Sequence, residues 1–228
     1  MADVMERLRE EKAEADRRVA AKRRLVFDER QLQLSIATSR MFGWLMLAQW
    51  VGGVLAALFV SPRTWAGATS QVHLHLWAAV ALGGVITALP AFLAFRKPEQ
   101  AYTPHVVASG QVLMSALLIH LTGGRIETHF HVFGSLAFIA FYRDWRVLVA
   151  PVTLVAVDHI VRGIWWPQSV FGVVTASPWR WLEHACWVLF ECFFLVLSIR
   201  RSREEMVEMA GKQARIEETL RPFLEGES

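Results

Sequence analysis

The sequence predicts an all-α membrane protein: about six transmembrane helices in a bundle, both termini cytoplasmic, and helical N- and C-terminal extensions. Two observations predict it. Uninterrupted apolar runs recur along the middle of the chain, each about the ~20 residues that cross a ~30 Å hydrocarbon core. The charged residues gather instead in residues 1–40 and 200–228. Of 228 residues, 54% are hydrophobic and 20% charged. A soluble domain of that length needs one apolar stripe per helix, not segments that are apolar all round.

Residues 1–40 alternate charges without Gly or Pro (Glu6, Arg7, Arg9, Glu10, Glu11, Lys12) and read as a solvated cytoplasmic helix, locally basic at Arg17, Arg18, Lys22, Arg23 and Arg24. A charged opening of this kind predicts that the first span is its own uncleaved insertion signal. Spans are expected over residues 41–60, stopped by Ser61-Pro62; 71–95, ending at Arg96-Lys97-Pro98; 103–121, ending at Gly123-Gly124; 126–142, the shortest; 145–165; and 181–199. The connection 166–180, with Pro167 and Pro178, is expected along the interface. Domain boundaries follow: 1–40 N-terminal helix, 41–200 membrane module, 201–228 cytoplasmic signalling helix or coiled-coil linker, expected to be cut from a longer polypeptide.

Loop charge sets the orientation. Arg96, Lys97, Arg143, Arg146, Arg200, Arg201 and Arg203 fall on the side of the basic N-terminal segment. The opposite side has Arg63, Arg125, Arg162 and Arg180, with Trp65, Trp77, Trp165, Trp166, Trp179 and Trp181 as an aromatic belt. The positive-inside rule then puts both termini in the cytoplasm of a multi-pass protein in a cell (bacterial inner) membrane. A net charge of +3 fits basic segments on an anionic leaflet, and no basic stripe interleaves with aromatics as a nucleic-acid partner requires. Two cysteines, Cys186 and Cys192, sit in the last apolar run and make no disulfide framework. Past Arg203, Met206, Met209, Ile216 and Leu220 are spaced like a two-stranded helical seam, which predicts a homodimer through the C-terminal helix.

Of eight histidines, His73, His75, His120, His129, His131, His159 and His184 fall at outer span ends, and His105 on the other side. Carboxylates join them: Glu127 four residues before His131, Asp158 beside His159, Glu183 beside His184, and Glu191 two turns further along. Ionisable groups at membrane depth normally face the bundle interior and pair with something. A cation held by neutral imidazoles meets that need, and imidazole suits copper, iron or zinc rather than magnesium or calcium. The expected ligands of a mononuclear or dinuclear site are His75, His120, Glu127, His129, His131, His159 and His184. His73, Asp158, Glu183 and Glu191 are supporting or alternative ligands. A spacing of two puts His73 and His75 on different helix faces, so the deeper His75 is favoured; the same argument favours His131, which shares a face with Glu127, over His129, unless the Gly123-Gly124 break leaves His129 non-helical. Haem b is the alternative cofactor, although so many histidines exceed its need for one or two axial ligands.

The stretch His120-Leu121-Thr122-Gly123-Gly124-Arg125-Ile126-Glu127-Thr128-His129-Phe130-His131-Val132-Phe133, with Tyr142-Arg143-Asp144-Trp145-Arg146 and Asp158-His159, resembles the transmembrane input module of bacterial sensor histidine kinases, diguanylate cyclases and chemotaxis receptors. The resemblance covers about residues 40–201. It implies that the last span feeds a cytoplasmic signalling helix and then an effector, so that no catalysis resides in this chain. Relatives often carry two adjacent histidines in the fifth span where this chain has Asp158-His159. The turn Tyr142, Arg143, Asp144, Trp145 and Arg146 is either a topology anchor or a grip on neighbouring helix ends that relays movement. Three functions follow as expectations: a sensor whose metal site binds a small ligand (oxygen, nitric oxide or the metal itself), an oxidase-like membrane metalloenzyme, and a scaffold whose histidines respond to pH.

Overall fold

The computed structural model describes residues 1–60, 63–66 and 69–225. Among them the chain is overwhelmingly helical: α1 (Ala2–Val60), α2 (Leu74–Trp77) continued through a π-helical turn (Ala78–Leu82) into α3 (Gly83–Arg96), α4 (Thr103–Leu121), α5 (Ile126–Ile139), α6 (Arg146–Trp165), the short α7 (Pro167–Phe171) and α8 (Arg180–Glu225). Ser61-Pro62, the expected stop of the first span, lies outside the described residues. The second span begins at Leu74 rather than residue 71, because Arg63–Ala66 and Thr69–Val72 pair as an antiparallel hairpin, Arg63 opposite Val72. Among the described residues, five helices are long and apolar enough to cross a membrane: Asp3–Phe59, Leu74–Arg96, Thr103–Leu121, Arg146–Trp165 and Arg180–Phe223. The 14-residue α5 is not among them; at ~1.5 Å per residue it covers about 21 Å.

The chain divides into two compact units, one of residues 1–34 with 200–228 and one of residues 35–199. The terminal segments, expected as separate extensions, therefore make one unit together. There α1 and α8 run antiparallel, with Arg18 bonded to Glu218, Lys22 to Glu217 and Arg30 to Gln213. Val26, Met206, Ala210 and Ala214 are buried in that unit, and the Arg203 guanidinium lies over the Phe27 ring at 4.9 Å. Of the expected seam, Met206 is buried, whereas Met209, Ile216 and Leu220 are exposed. Small residues at 210 and 214, one helical turn apart, let the two backbones approach.

In the larger unit α4 packs on α3, α5 and α6, and 61% of its apolar window is buried against 39% or less for the other four candidate spans. Its composition explains its central place. Ala108, Gly110, Gln111 and Ser115 are small or polar and are buried there, whereas large apolar side chains such as Val85, Leu89, Trp187 and Phe193, on other helices, are exposed, as lipid contact requires. The π-helical turn frees backbone carbonyls, and Trp50 of α1 takes them up: its indole N–H donates to Ala79 O at 3.1 Å and Val80 O at 3.2 Å.

Two backbone features set the height of the histidines. α4 ends in a Schellman cap, with Gly123 N–H donating to His120 O and Gly124 N–H to Ile119 O. Both glycines have φ of +74°, and Gly172, at the end of α7, has φ of +66°. A Cβ on Gly124 would meet Gly172 N at 2.2 Å. The turn between α4 and α5 therefore lies backbone against backbone on the end of α7, which only glycine permits.

Candidate functional site

The histidine-rich end of the larger unit resolves into three groups. The first joins α5, α6 and α8. His129, His159 and His184 have ring centroids 5.5 Å (129–159), 5.3 Å (129–184) and 5.6 Å (159–184) apart. His129 and His159 are buried. In each ring Nδ1 faces the carbonyl four residues earlier on its own helix: His129 to Arg125 O at 2.9 Å, His159 to Val155 O at 3.0 Å, His184 to Arg180 O at 3.2 Å. A carbonyl oxygen only accepts, so the proton sits on Nδ1 and Nε2 keeps its lone pair. His129 Nε2 is buried without a hydrogen-bond partner. A cavity of about 100 Å³ lies beside the three rings, walled by Val132, Phe133, Val155 and Val188.

The second group is a row: His73 on His75 at 4.3 Å, His75 on His120 at 4.9 Å, and His120 on Trp166 at 4.9 Å between ring centroids. His73 and His75 were expected to point apart as helical residues two positions apart. They do not, because His73 is extended (φ −65°, ψ 142°) and caps α2, its Nδ1 accepting from His75 N–H.

His131 stands by itself on the other side of α5. Its Nε2 faces Gln49 Nε2 of α1 at 3.0 Å, and its Nδ1 faces Ser115 Oγ of α4 at 2.8 Å and Ser135 Oγ at 3.3 Å. Ser115 donates to Gln111 O, and the Gln111 amide donates to Ser135. The protons arrange themselves consistently when His131 carries one on Nδ1, Ser115 passes one on to the carbonyl, and the Gln49 amide donates to Nε2. The 200° step between His129 and His131 thus aims the two at different neighbours, and both are engaged inside the unit. His129 faces α6 and α8 while His131 faces α1 and α4, so the expected preference for His131 over His129 as the inward residue is corrected by this geometry.

The carboxylates disperse. Asp158 grips Arg162 through two bonds, Arg162 Nε to Oδ1 at 2.7 Å and Arg162 Nη2 to Oδ2, and stands 3.5 Å from His159 Nδ1, longer than that nitrogen's bond to Val155 O. Glu127 is exposed on the first turn of α5. Glu183 is exposed and lines a wider depression with His129 and His184. Glu191 keeps a buried Oε2 without a hydrogen-bond partner. His105 lies on the first turn of α4, at the opposite end of that helix from His120. Among the described residues no group of three or more His, Cys, Asp or Glu side chains holds a metal-binding arrangement as it stands. The three rings of the first group are neighbours without their nitrogens already meeting on one point.

The turn after α5 packs against α1 through Tyr142. Ala140–Tyr142 tightens to a 3₁₀ turn and Arg143 takes a left-handed conformation, φ 53°. Tyr142 is buried, its hydroxyl 3.1 Å from Ser39 Oγ of α1 and its ring stacked on Phe42 at 5.8 Å. Asp144 Oδ1 accepts from Arg146 N–H at 3.0 Å.

Sequence reasoning missed Arg162, Ser169, Gln49, Ser115 and Ser135. Arg162 was counted only as a loop charge, although its spacing of four from Asp158 is that of a helical ion pair. The others are polar residues inside or between apolar runs, which lipid-exposed positions would not tolerate.

No protein family model matches the chain, and no solved structure does. It is 29% identical over 141 residues to a protein named transducer protein Htr8 of Halobacterium salinarum, a match covering 59% of this chain and 21% of that relative. The chain thus spans about a fifth of the length of a relative that carries the name of a signal transducer.

Proposed function

We propose that this chain is the membrane input module of a signal transducer, and that its receptor centre is a transition-metal site on Nε2 of His129, His159 and His184. The observation that carries the proposal is the shared arrangement of the three rings, each with Nδ1 tied to the carbonyl one turn back and Nε2 left over. A backbone partner on one ring nitrogen orients a metal-binding imidazole and fixes its tautomer. The spacing supports it too. For metal–nitrogen bonds of about 2 Å at tetrahedral angles, imidazole centroids lie roughly 5 Å apart, close to the spacing found, so small side-chain rotations suffice to gather the donors. Copper, zinc and iron fit an imidazole set, and the cavity beside the rings leaves room for an exogenous ligand such as oxygen or nitric oxide.

Output runs through α8, the helix that carries His184 and continues to Glu225. A ligand moves such a helix only if it binds one arrangement of the three contributing helices better than another. In this reading six segments span the bacterial inner membrane, with α5 as the short one among them, both termini are cytoplasmic, and the effector is a histidine kinase, diguanylate cyclase or chemotaxis-type domain beyond residue 228. The exposed Met209, Ile216 and Leu220 are the face through which two copies would pair. The transducer relative supports the signalling role.

The test is elemental analysis of the purified full chain beside His159→Ala/His184→Ala. One metal equivalent per chain fewer in the double variant than in the parent, both giving monodisperse protein, is the expected result. Because His159 is buried, His184→Gln serves as a milder second variant. Metal content equal to the parent's in both variants overturns the proposal.

A further inference from the structure

We propose that His75 and His120 form a second transition-metal site, separate from the His129 group. The two rings meet at 4.9 Å and 63°, between the start of α2 and the last turn of α4. The nitrogen bookkeeping differs from that of the first group. His75 Nδ1 is buried with no hydrogen-bond partner. His120 Nδ1 is taken by Ser169 Oγ at 2.9 Å, which leaves Nε2 as the ligand. Ser169 Oγ also accepts from Arg162 Nη1 at 3.0 Å, and a hydroxyl with two acceptor lone pairs accommodates His120 Nδ1–H as well.

The surroundings hold both rings in place. His73 stacks edge-on against His75 while capping α2, and Trp166 packs against His120. With metal–nitrogen bonds of about 2 Å, rings at this separation subtend roughly 100° at a shared ion, near the tetrahedral value. Solvent or a further ligand would complete the shell. The nearest acid on this chain of bonds, Asp158, is already held by Arg162, so the donors are neutral nitrogens. That chemistry selects zinc or copper over oxygen-seeking magnesium or calcium. A cation also offsets the cost of packing imidazoles side by side with one nitrogen unpaired.

The experiment titrates the full chain in detergent with Zn(II), and separately with Cu(I) under reducing conditions, each against a chromophoric chelator. The samples are the parent, His75→Ala/His120→Ala, the milder His75→Gln, and His129→Ala/His159→Ala. The parent is expected to take two equivalents, the His75/His120 variant one fewer, and His75→Gln to weaken the outer equivalent at least tenfold with unchanged thermal unfolding. Whichever metal arm gives the second equivalent identifies the cation. Retention of the parent stoichiometry in His75→Ala/His120→Ala overturns the proposal, as does an outer equivalent too weak to compete with the chelator. An equivalent that survives only in His129→Ala/His159→Ala upholds this site while removing the one under "Proposed function"; the reverse pattern does the opposite.

Discussion

His129 and His131 stand two residues apart on α5, in the same motif, at nearly the same depth, and do opposite things with the same ring. His129 spends Nδ1 on its own helix and leaves Nε2 without a partner among the imidazoles of α6 and α8. His131 spends both nitrogens on side chains of α1, α4 and α5. One keeps a ring nitrogen without a hydrogen-bond partner, the other ties three helices together. In a medium without water an unused ring nitrogen is costly, so it persists where something else offsets that cost. The difference teaches that histidine count is a poor guide to ligation, and that accounting for each nitrogen is a better one.

The largest effect expected is on metal content. His129→Ala should weaken binding at the first group by more than the ten- to hundredfold that loss of a supporting partner brings, whereas His131→Ala should leave stoichiometry unchanged. Equilibrium dialysis followed by elemental analysis reads both. Equal losses in the two variants would erase the distinction.

Next comes the turn that sets the height of His129. Gly124→Ala places a methyl against the backbone of Gly172 in a left-handed conformation. It should destabilise by about 1–3 kcal/mol from the backbone alone and more from the overlap, seen as a lowered unfolding midpoint in detergent. Gly134, on the same α5, has nothing within 4 Å of a built Cβ, so Gly134→Ala should be neutral or stabilising by about 0.5–1 kcal/mol. A harmless Gly124→Ala would mean that the α4–α5 turn does not rest on α7.

The tie through His131 should show in a double-mutant cycle. His131→Leu and Gln49→Leu each strand the other's polar group and should cost about 1–3 kcal/mol. The double variant should cost less than their sum by about 1 kcal/mol, since it removes both ends of one bond. Additive losses would show that the two side chains do not interact.

Much of this was legible beforehand, for physical reasons. Apolar run length located α3, α4, α6 and the apolar part of α8, because the bilayer thickness imposes it. Gly123-Gly124 marked the end of α4, because a left-handed cap selects glycine. The gathering of histidines at one end followed from where the apolar runs stop. What could not be read was the partition of that layer. Helical periodicity places His73 and His75 on opposed faces, but the hairpin before them lets His73 leave the helix and turn back as a cap. Periodicity separates His129 from His131 correctly and then misleads, since it assumes that only one face of α5 is interior. Pairings across the sequence, such as Gln49 with His131, Ser39 with Tyr142 or Arg18 with Glu218, have no local signature at all.

The smallest effect belongs to the unit made by the two termini, and it sharpens the comparison by reversing the medium. Its pairs join charged, partly exposed side chains, unlike the uncharged His131 tie. Hydrogen bonding from the Arg18 guanidinium, which approaches to 2.7 Å, holds the Glu218 carboxyl below its usual range. Lys22 does the same for Glu217. A carboxyl whose folded pKa is depressed contributes its stabilisation above the ordinary glutamate range and loses it as pH falls through the lowered value. Protection of the α1 and α8 amides in this unit, followed by hydrogen exchange, should therefore weaken slightly on acidification and in ~1 M salt, where screening is nearly complete. Arg18→Ala should give the same small loss at neutral pH and abolish most of the salt response. The His131 cycle should be indifferent to salt, because its partners carry no net charge and lie in the membrane-spanning unit. Salt sensitivity in the membrane tie, or none in the terminal pair, would show that the two units are not held by the different forces their residues imply.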